Sequence, residues 1–211
     1  MLLRALEDAI MPLRCVFCGI RTTYPEQYVC TGCDEDLPRI TSPPPPPVSS
    51  RLELERAPFA YEFPVDASIK ALKFRRKLFY GPALAELLCR ECQHLPDDID
   101  AVLPVPLHWR RRWLRGFNQA DEISTPVARH LNVPLIRNVR RVRATPFQSG
   151  LGARERTKNL RGAFDVRGEL LAKHVLIIDD VITTGATVRQ LARVLHQAGV
   201  GKVSALAVAR A

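Results

Sequence analysis

One stretch constrains this 211-residue chain more than any other: Val175-Leu-Ile-Ile-Asp-Asp-Val-Ile-Thr-Thr-Gly-Ala-Thr187. Its apolar opening, from His174 to Ile178, predicts a strand buried on both faces. That strand delivers two adjacent carboxylates, Asp179 and Asp180, to its carboxyl end. A loop of Thr and Gly follows, then a helical pattern from Gly185 to Ala198 that Gly199 closes. Further apolar strands are expected at Phe59–Phe63, Ala101–Val105 and Lys202–Val208, with an extended stretch at Leu135–Val142. Helical patterns at Val65–Phe79, Gly81–Leu95 and Asn118–Leu131 separate them, the last despite Pro126. Apolar strands alternating with helices imply an α/β fold, a parallel sheet covered on each side. In such sheets ligands bind beyond the carboxyl ends of the strands.

The residues after the apolar strand suit a sugar phosphate. Helix N-termini present unpaired N–H groups and partial positive charge to an anion. Gly185 permits close backbone approach, and Thr183, Thr184 and Thr187 add hydroxyl donors. Carboxylates beside a phosphate suit a pair of sugar hydroxyls or a hydrated magnesium ion. Together these groups describe a ribose 5-phosphate site. Four apolar residues followed by Asp-Asp also fit a Walker B strand, but none of the six lysines precedes Ser or Thr, so no P-loop accompanies it.

Six cysteines form three C-x-x-C pairs. Cys15/Cys18 and Cys30/Cys33 are two knuckles whose thiolates can complete a tetrahedron around Zn²⁺, with Gly19 and Gly32 easing the turns. Four thiolates leave no open coordination position, so the role expected of this ribbon is structural. Disulfides are the competing reading, disfavoured because MLLRALEDAI carries charges and does not read as a signal peptide. Cys89 and Cys92 lie on a helical apolar pattern and read as buried thiols; a second metal site there would need His94 and a partner. No apolar stretch approaches the roughly 20 residues of a membrane span, and a cytoplasmic location is expected.

Between His108 and Arg167 there are fourteen Lys/Arg against four Asp/Glu, which accounts for essentially all of the chain's net charge of +9. Such a block calls for a polyanionic partner or forms a solvated face. Five prolines, Pro43–Pro47, form a stiff spacer of about 16 Å. The expected organisation is an N-terminal segment and zinc ribbon over residues 1–42, a linker at 43–50, and the α/β domain over 51–211.

The motif at 175–187 resembles the 13-residue phosphoribosyl pyrophosphate (PRPP) binding motif of class I phosphoribosyltransferases along its full length. The resemblance implies that fold, with Asp179 and Asp180 contacting the ribose hydroxyls and Val181, Ile182, Thr183, Thr184, Gly185, Ala186 and Thr187 wrapping the 5′-phosphate. Hypoxanthine-type members carry a carboxylate where this chain has Thr183, so purine salvage is not implied. Leu103-Pro-Val-Pro-Leu-His108 occupies the place of the family's pyrophosphate loop, giving Pro106, Leu107 and His108 to that anion. Adding the four-cysteine ribbon, R115-G-F-N-Q119 and the T145-x-x-Q-x-x-L-x-x-x-x-R-x-x-N159 pattern, the chain is similar to the ComF/GntX family over nearly its whole length.

That family is linked to natural competence and to DNA use as a nutrient. If the chain is an enzyme, it would displace pyrophosphate from C1 of Mg²⁺-bound PRPP toward an unknown acceptor. Arg111 and Arg115, with Arg110 and Arg112, would stabilise the leaving group. Arg154, Arg156 and Lys158 lie in a Gly-rich segment with the composition of a closing lid. Two alternatives stay open. One is binding or sensing of PRPP or a nucleotide without turnover, with the ribbon docking a partner such as a DNA-translocating helicase. The other is single-stranded DNA binding through Trp109, Trp113 and Phe117 interleaved with arginines, a trio whose helical spacing equally suits the core.

Overall fold

The computed structural model describes residues 14–22, 28–41, 51–143, 160 and 162–211. Seven strands and six helices are named here in chain order: α1 (Thr31–Glu35), β1 (Leu54–Arg56), β2 (Phe59–Ala60), α2 (Val65–Arg75), α3 (Tyr80–Glu91), β3 (Ala101–Pro104), α4 (Trp109–Arg115), α5 (Gln119–Leu131), β4 (Val139–Arg141), β5 (Phe164–Val166), β6 (His174–Ile182), α6 (Ala186–Gln197) and β7 (Lys202–Arg210). The main sheet is parallel throughout, in the order β1-β7-β6-β3, and β2 pairs with β7 beyond the end of β1. β4 and β5 form a separate antiparallel pair.

β6 and β7 are central because their side chains are apolar on both faces. Leu176, Ile178, Leu206 and Val208 meet one layer, built from Ile69 and Leu72 of α2, Leu84, Leu87 and Leu88 of α3, and Ile123 and Val127 of α5. Val175, Ile177, Val203 and Ala205 meet Val188, Leu191 and Leu195 of α6, together with Val139 and Phe164 of the β4–β5 pair. Fully burying one such side chain contributes about 1.5–3 kcal/mol, so the two layers fix the register of the sheet. The α/β architecture expected from the sequence is the one observed.

The differences lie at element ends. β6 runs four residues past Ile178, so Asp179 and Asp180 belong to the strand, with Asp179 in register with Ala207 of β7. β1 is additional, held by the edge of β7 although its burial is mixed. The expected strand at 59–63 keeps only two residues. The helix expected to reach Phe79 stops at Arg75, where Arg76 takes a left-handed φ of 52°. Cys92–His94 tighten into a 3₁₀ turn after α3.

A polar pin holds the amino ends of the strands, far from the loops. His174, buried at the start of β6, places Nδ1 2.6 Å from Asp98 Oδ1 and Nε2 2.9 Å from the Ser204 hydroxyl. Lys202 Nζ reaches Asp98 Oδ2 at 2.7 Å. The Asp–His–Ser connectivity matches a hydrolytic triad, but Ser204 is completely buried and no substrate could reach it. Hydrogen bonds from Lys202 and His174 hold the Asp98 carboxyl down at about 2. A depressed carboxylate contributes stability above its unfolded-state pKa, and that stability is lost as pH falls through the folded value. Asp98→Asn is therefore expected to lower the melting temperature at pH 7 and to lower it by much less at pH 2, measured by thermal unfolding at both.

Candidate sugar-phosphate site and metal centre

The site is built where β6 ends. Residues of a strand alternate between its faces, so Asp180 shares a face with Ile178 and points toward α2, while Asp179 shares a face with Ile177. Asp179 Oδ1 accepts the Asp180 backbone N–H at 2.9 Å. Burial, and then the neighbouring Asp180 charge, push the Asp179 carboxyl up to about 8. Asp180 is buried too, and Lys73 of α2 covers it: Lys73 Nζ lies 2.6 Å from Asp180 Oδ2.

The loop proper is short. Val181 and Ile182 continue β6 in register with Ala209 and Arg210, and Ile182 is buried in the core. Thr183 is exposed, Thr184 half-buried, and Gly185 caps α6 with a left-handed φ of 70°. Thr184 Oγ1 accepts the Ala186 N–H at 3.4 Å. The free N–H groups of a helix start thus follow directly on the acid pair. No threonine is the helix N-cap; glycine is, because a Cβ there would meet the Arg189 guanidinium and stand 3.1 Å from Glu55 Oε2. Glu55 is itself buried and paired with Arg210 at 2.7 Å, and Arg189 donates to the Thr184 carbonyl. These three residues brace the loop from behind.

β3 brings the second loop alongside. Pro104 pairs with Ile178, and the Val105 N–H donates to the Ile178 carbonyl, so residues 105–108 lie next to the acid pair. Pro106 and Leu107 are half-buried. His108 is buried and works as the N-cap of α4, its Nδ1 accepting the Arg110 N–H at 3.3 Å. Burial and the charges of Arg110, Arg141 and Arg111 push its imidazole below the usual value. Asn118 caps α5 and donates to the Val105 carbonyl at 3.1 Å, which fixes this loop to the helix behind it.

Cations flank the acids on both sides. A cleft of about 910 Å³ between α2 and α4 is lined by Lys73, Arg76, Arg111, Arg115, Phe74 and Leu114, among others, with no carboxylate. Leu107 is shared with a second cleft of about 570 Å³, which holds Arg112, Arg137, Arg140, Arg141 and Arg167. Arg115 feels the charge of Asp180, and Arg141 that of Asp179. Arg111 and Arg115, named from the sequence, thus come to the site. Lys73 and Arg141 were not named. Both carry a legible signal: Lys73 stands four residues after buried Ile69 on α2, and Arg141 shares a strand face with buried Val139. Arg154, Arg156 and Lys158 lie outside the described residues, as does the proline linker.

Trp109 and Trp113 do not face the core. They are 64% and 81% exposed, and no residue of α4 is buried. Only Phe117 packs against the core, half-buried. Among the described residues no side chain of α4 is buried in either core layer, so the tryptophans stay outward.

The four-cysteine cluster is the second site. One ligand atom from each of Cys15, Cys18, Cys30 and Cys33 lies within 4.8 Å of the others. The first knuckle closes through the Gly19 N–H to the Cys15 carbonyl, with Gly19 at a φ of 76°; Gly32 instead sits inside α1, where no positive φ is needed. Burial works to raise the Cys15 thiol, yet backbone N–H groups of Cys18, Cys30 and Phe17 bring it down to about 6. Burial and the neighbouring thiols push Cys33 far up. Four sulfurs this close ionise together only around a cation, so the donor set fits zinc. The cluster is locked to α3: Glu86 accepts the Tyr28 N–H at 2.9 Å, Arg90 pairs with Asp34 at 2.9 Å, and Val29 and Leu37 enter the core beside α3. Cys89 and Cys92 are pushed up by burial to about 11 and about 12, as neutral packed thiols are.

With this geometry in place, comparison with known proteins decides the lineage. The chain is 35% identical over 212 residues to the DNA utilization protein YhgH of Escherichia coli K12, covering 93% of this chain and 89% of that protein. It is 36% identical over 160 residues to Competence protein F of Haemophilus influenzae, covering 72% and 70%. The chain belongs to the ComF/GntX family. Residues 122–211 also match the phosphoribosyl transferase domain model. An amidophosphoribosyltransferase of Pasteurella multocida is 29% identical over 134 residues, 24% of its own length. This ComF/GntX chain therefore carries a phosphoribosyltransferase-type domain and a four-cysteine cluster able to bind zinc. None of its helices, among the described residues, is long and apolar enough to cross a membrane.

Two outcomes test the site's construction. Gly185→Ala is expected to destabilise the protein by about 1–3 kcal/mol through left-handed strain and the crowding at Glu55 and Arg189, read from the denaturant midpoint. Purified protein is expected to contain one zinc ion per chain by metal analysis, unchanged in Cys89→Ala and abolished in Cys18→Ser.

Proposed function

We propose that this chain binds magnesium–PRPP and transfers its phosphoribosyl group to an amine-type acceptor, releasing pyrophosphate. The observation that carries the reading is the junction at the end of β6, where an acid pair precedes a glycine-capped helix start beside the β3 loop, with Lys73, Arg115 and Arg141 close enough for their charges to act on the acids. Asp179 and Asp180 would hold the ribose hydroxyls and the hydrated magnesium ion, since two adjacent carboxylates at a strand end supply acceptors for both. Bound magnesium supplies charge compensation for the diphosphate.

The backbone from Val181 to Thr187 would seat the 5′-phosphate, its contacts concentrated in Thr183, Thr184, Gly185, Ala186 and Thr187. Pro106 and Leu107 would shape the pyrophosphate pocket, His108 would hold that loop to α4, and Arg111 and Arg115 would neutralise the charge that grows on the leaving group. Arg156 and Lys158, which lie outside the described residues, would add positive charge for the leaving pyrophosphate. We place the zinc ribbon in residues 1–42, the linker in 43–50 and the transferase-type domain in 51–211, and the protein in the cytoplasm, serving DNA uptake or DNA utilisation.

A second reading concerns single-stranded DNA and a DNA-translocating helicase as partners. The outward tryptophans of α4 favour it, since exposed aromatics among arginines stack bases along a basic track. Turnover and DNA handling separate experimentally. Pyrophosphate release from PRPP with an amine acceptor is expected in wild type and to fall to background in Asp180→Asn. Saturable PRPP binding with no release for any amine would contradict transfer and leave a sensor. Oligonucleotide affinity that falls steeply with salt and survives Asp180→Asn, but not Trp113→Ala, would support the second role.

A further inference from the structure

Asp180 is the group that a ribose diol or a hydrated cation must reach, and in this structure an internal cation already holds it. Lys73 Nζ sits 2.6 Å from Asp180 Oδ2, an oxygen that is buried from solvent. The contact is a buried ion pair. Its origin is electrostatic necessity: two carboxylates on consecutive residues of a buried strand end need a nearby positive charge. Arg115 also feels the Asp180 charge, but its guanidinium donates to Gln119 Oε1, and Lys73 is the cation paired with the carboxylate.

Lys73 is also placed to let go. It projects from the last turn of α2 on a flexible four-carbon stem, and its side chain lines the cleft that Arg111 and Arg115 share. That cleft offers no carboxylate among its lining residues, so an ammonium leaving Asp180 meets other cations and no anion. It stays in place only if an anion arrives with them. The same end of α2 is anchored to the wall opposite, since its C-cap Arg76 donates to the Leu114 carbonyl of α4 at 3.0 Å. The side chain can therefore swing while the helix keeps its place.

We propose that Lys73 is an exchangeable counter-ion: it neutralises Asp180 in the empty site, yields that position to the cation and diol of the incoming ligand, and turns to the ligand's diphosphate beside Arg111 and Arg115. The ligand named here rests on the PRPP reading above; the competition between Lys73 and a metal cation for Asp180 does not. Because binding linkage is reciprocal, a side chain displaced by a metal must weaken that metal's binding while it is present.

The experiment titrates Mn²⁺ alone into the full-length protein, following free Mn²⁺ by its paramagnetic signal, in wild type, Lys73→Met and Lys73→Gln. Both variants are expected to bind Mn²⁺ about tenfold more tightly than wild type, although each removes a group from the site. With magnesium–PRPP and an amine acceptor, both are expected to lose about tenfold in pyrophosphate release, and Lys73→Arg to restore most of it. A purely structural lysine would loosen metal binding and activity together. Unchanged or weaker Mn²⁺ affinity in both variants overturns the proposal. Failure of the wild type to bind PRPP would instead sink the PRPP reading, and the Mn²⁺ comparison, which contains no PRPP, decides the counter-ion claim by itself.

Discussion

The placement of two carboxylates on consecutive residues at the end of a buried parallel strand is the constraint on which the rest of this molecule turns. Period-two geometry sends Asp180 toward α2 and Asp179 toward the opposite layer, so each face of the sheet must supply its own positive charge. Lys73 and Arg115 answer on one side and Arg141 on the other. The two basic clefts are the visible result. Much of the charge that composition alone records as a block of arginines is thus arranged around two acids and one helix start.

The ribbon is tied to the same architecture. Its Val29 and Leu37 pack with α3, whose other apolar side chains pack on the sheet face that carries Asp180. Metal at the four cysteines would hold this layer together without taking part in the site's chemistry. At the far end of the strands the buried His174 fastens β6 to β7 through Ser204. The loops at the carboxyl ends therefore stand on a sheet that is fixed at its base and covered on both faces.

What could be read from the chain, and what could not, follows from the range of each interaction. The placement of Asp179 and Asp180 at the end of a buried strand, of Gly185 at a helix start and of four cysteines in one cluster is legible because strand period, glycine punctuation and C-x-x-C spacing are local signals. The β6–α6 junction and the β3 loop are legible for the same reason. β1 was missed because Leu54–Arg56 is a strand only by virtue of the β7 edge beside it. Lys73 and Glu55 were missed because their importance lies in partners more than a hundred residues away, Asp180 and Gly185. The outward turn of Trp109 and Trp113 was undecided because helical spacing cannot say which side of a short helix has something to pack against.

Calorimetric titration of magnesium–PRPP into the wild-type protein and Asp180→Asn tests the central claim most directly. A saturable one-to-one isotherm in the wild type that disappears in the variant is the result this account requires. An isotherm of equal affinity in both proteins, or none in the wild type, would contradict the assignment of the acid pair at the end of β6 as the sugar-binding centre.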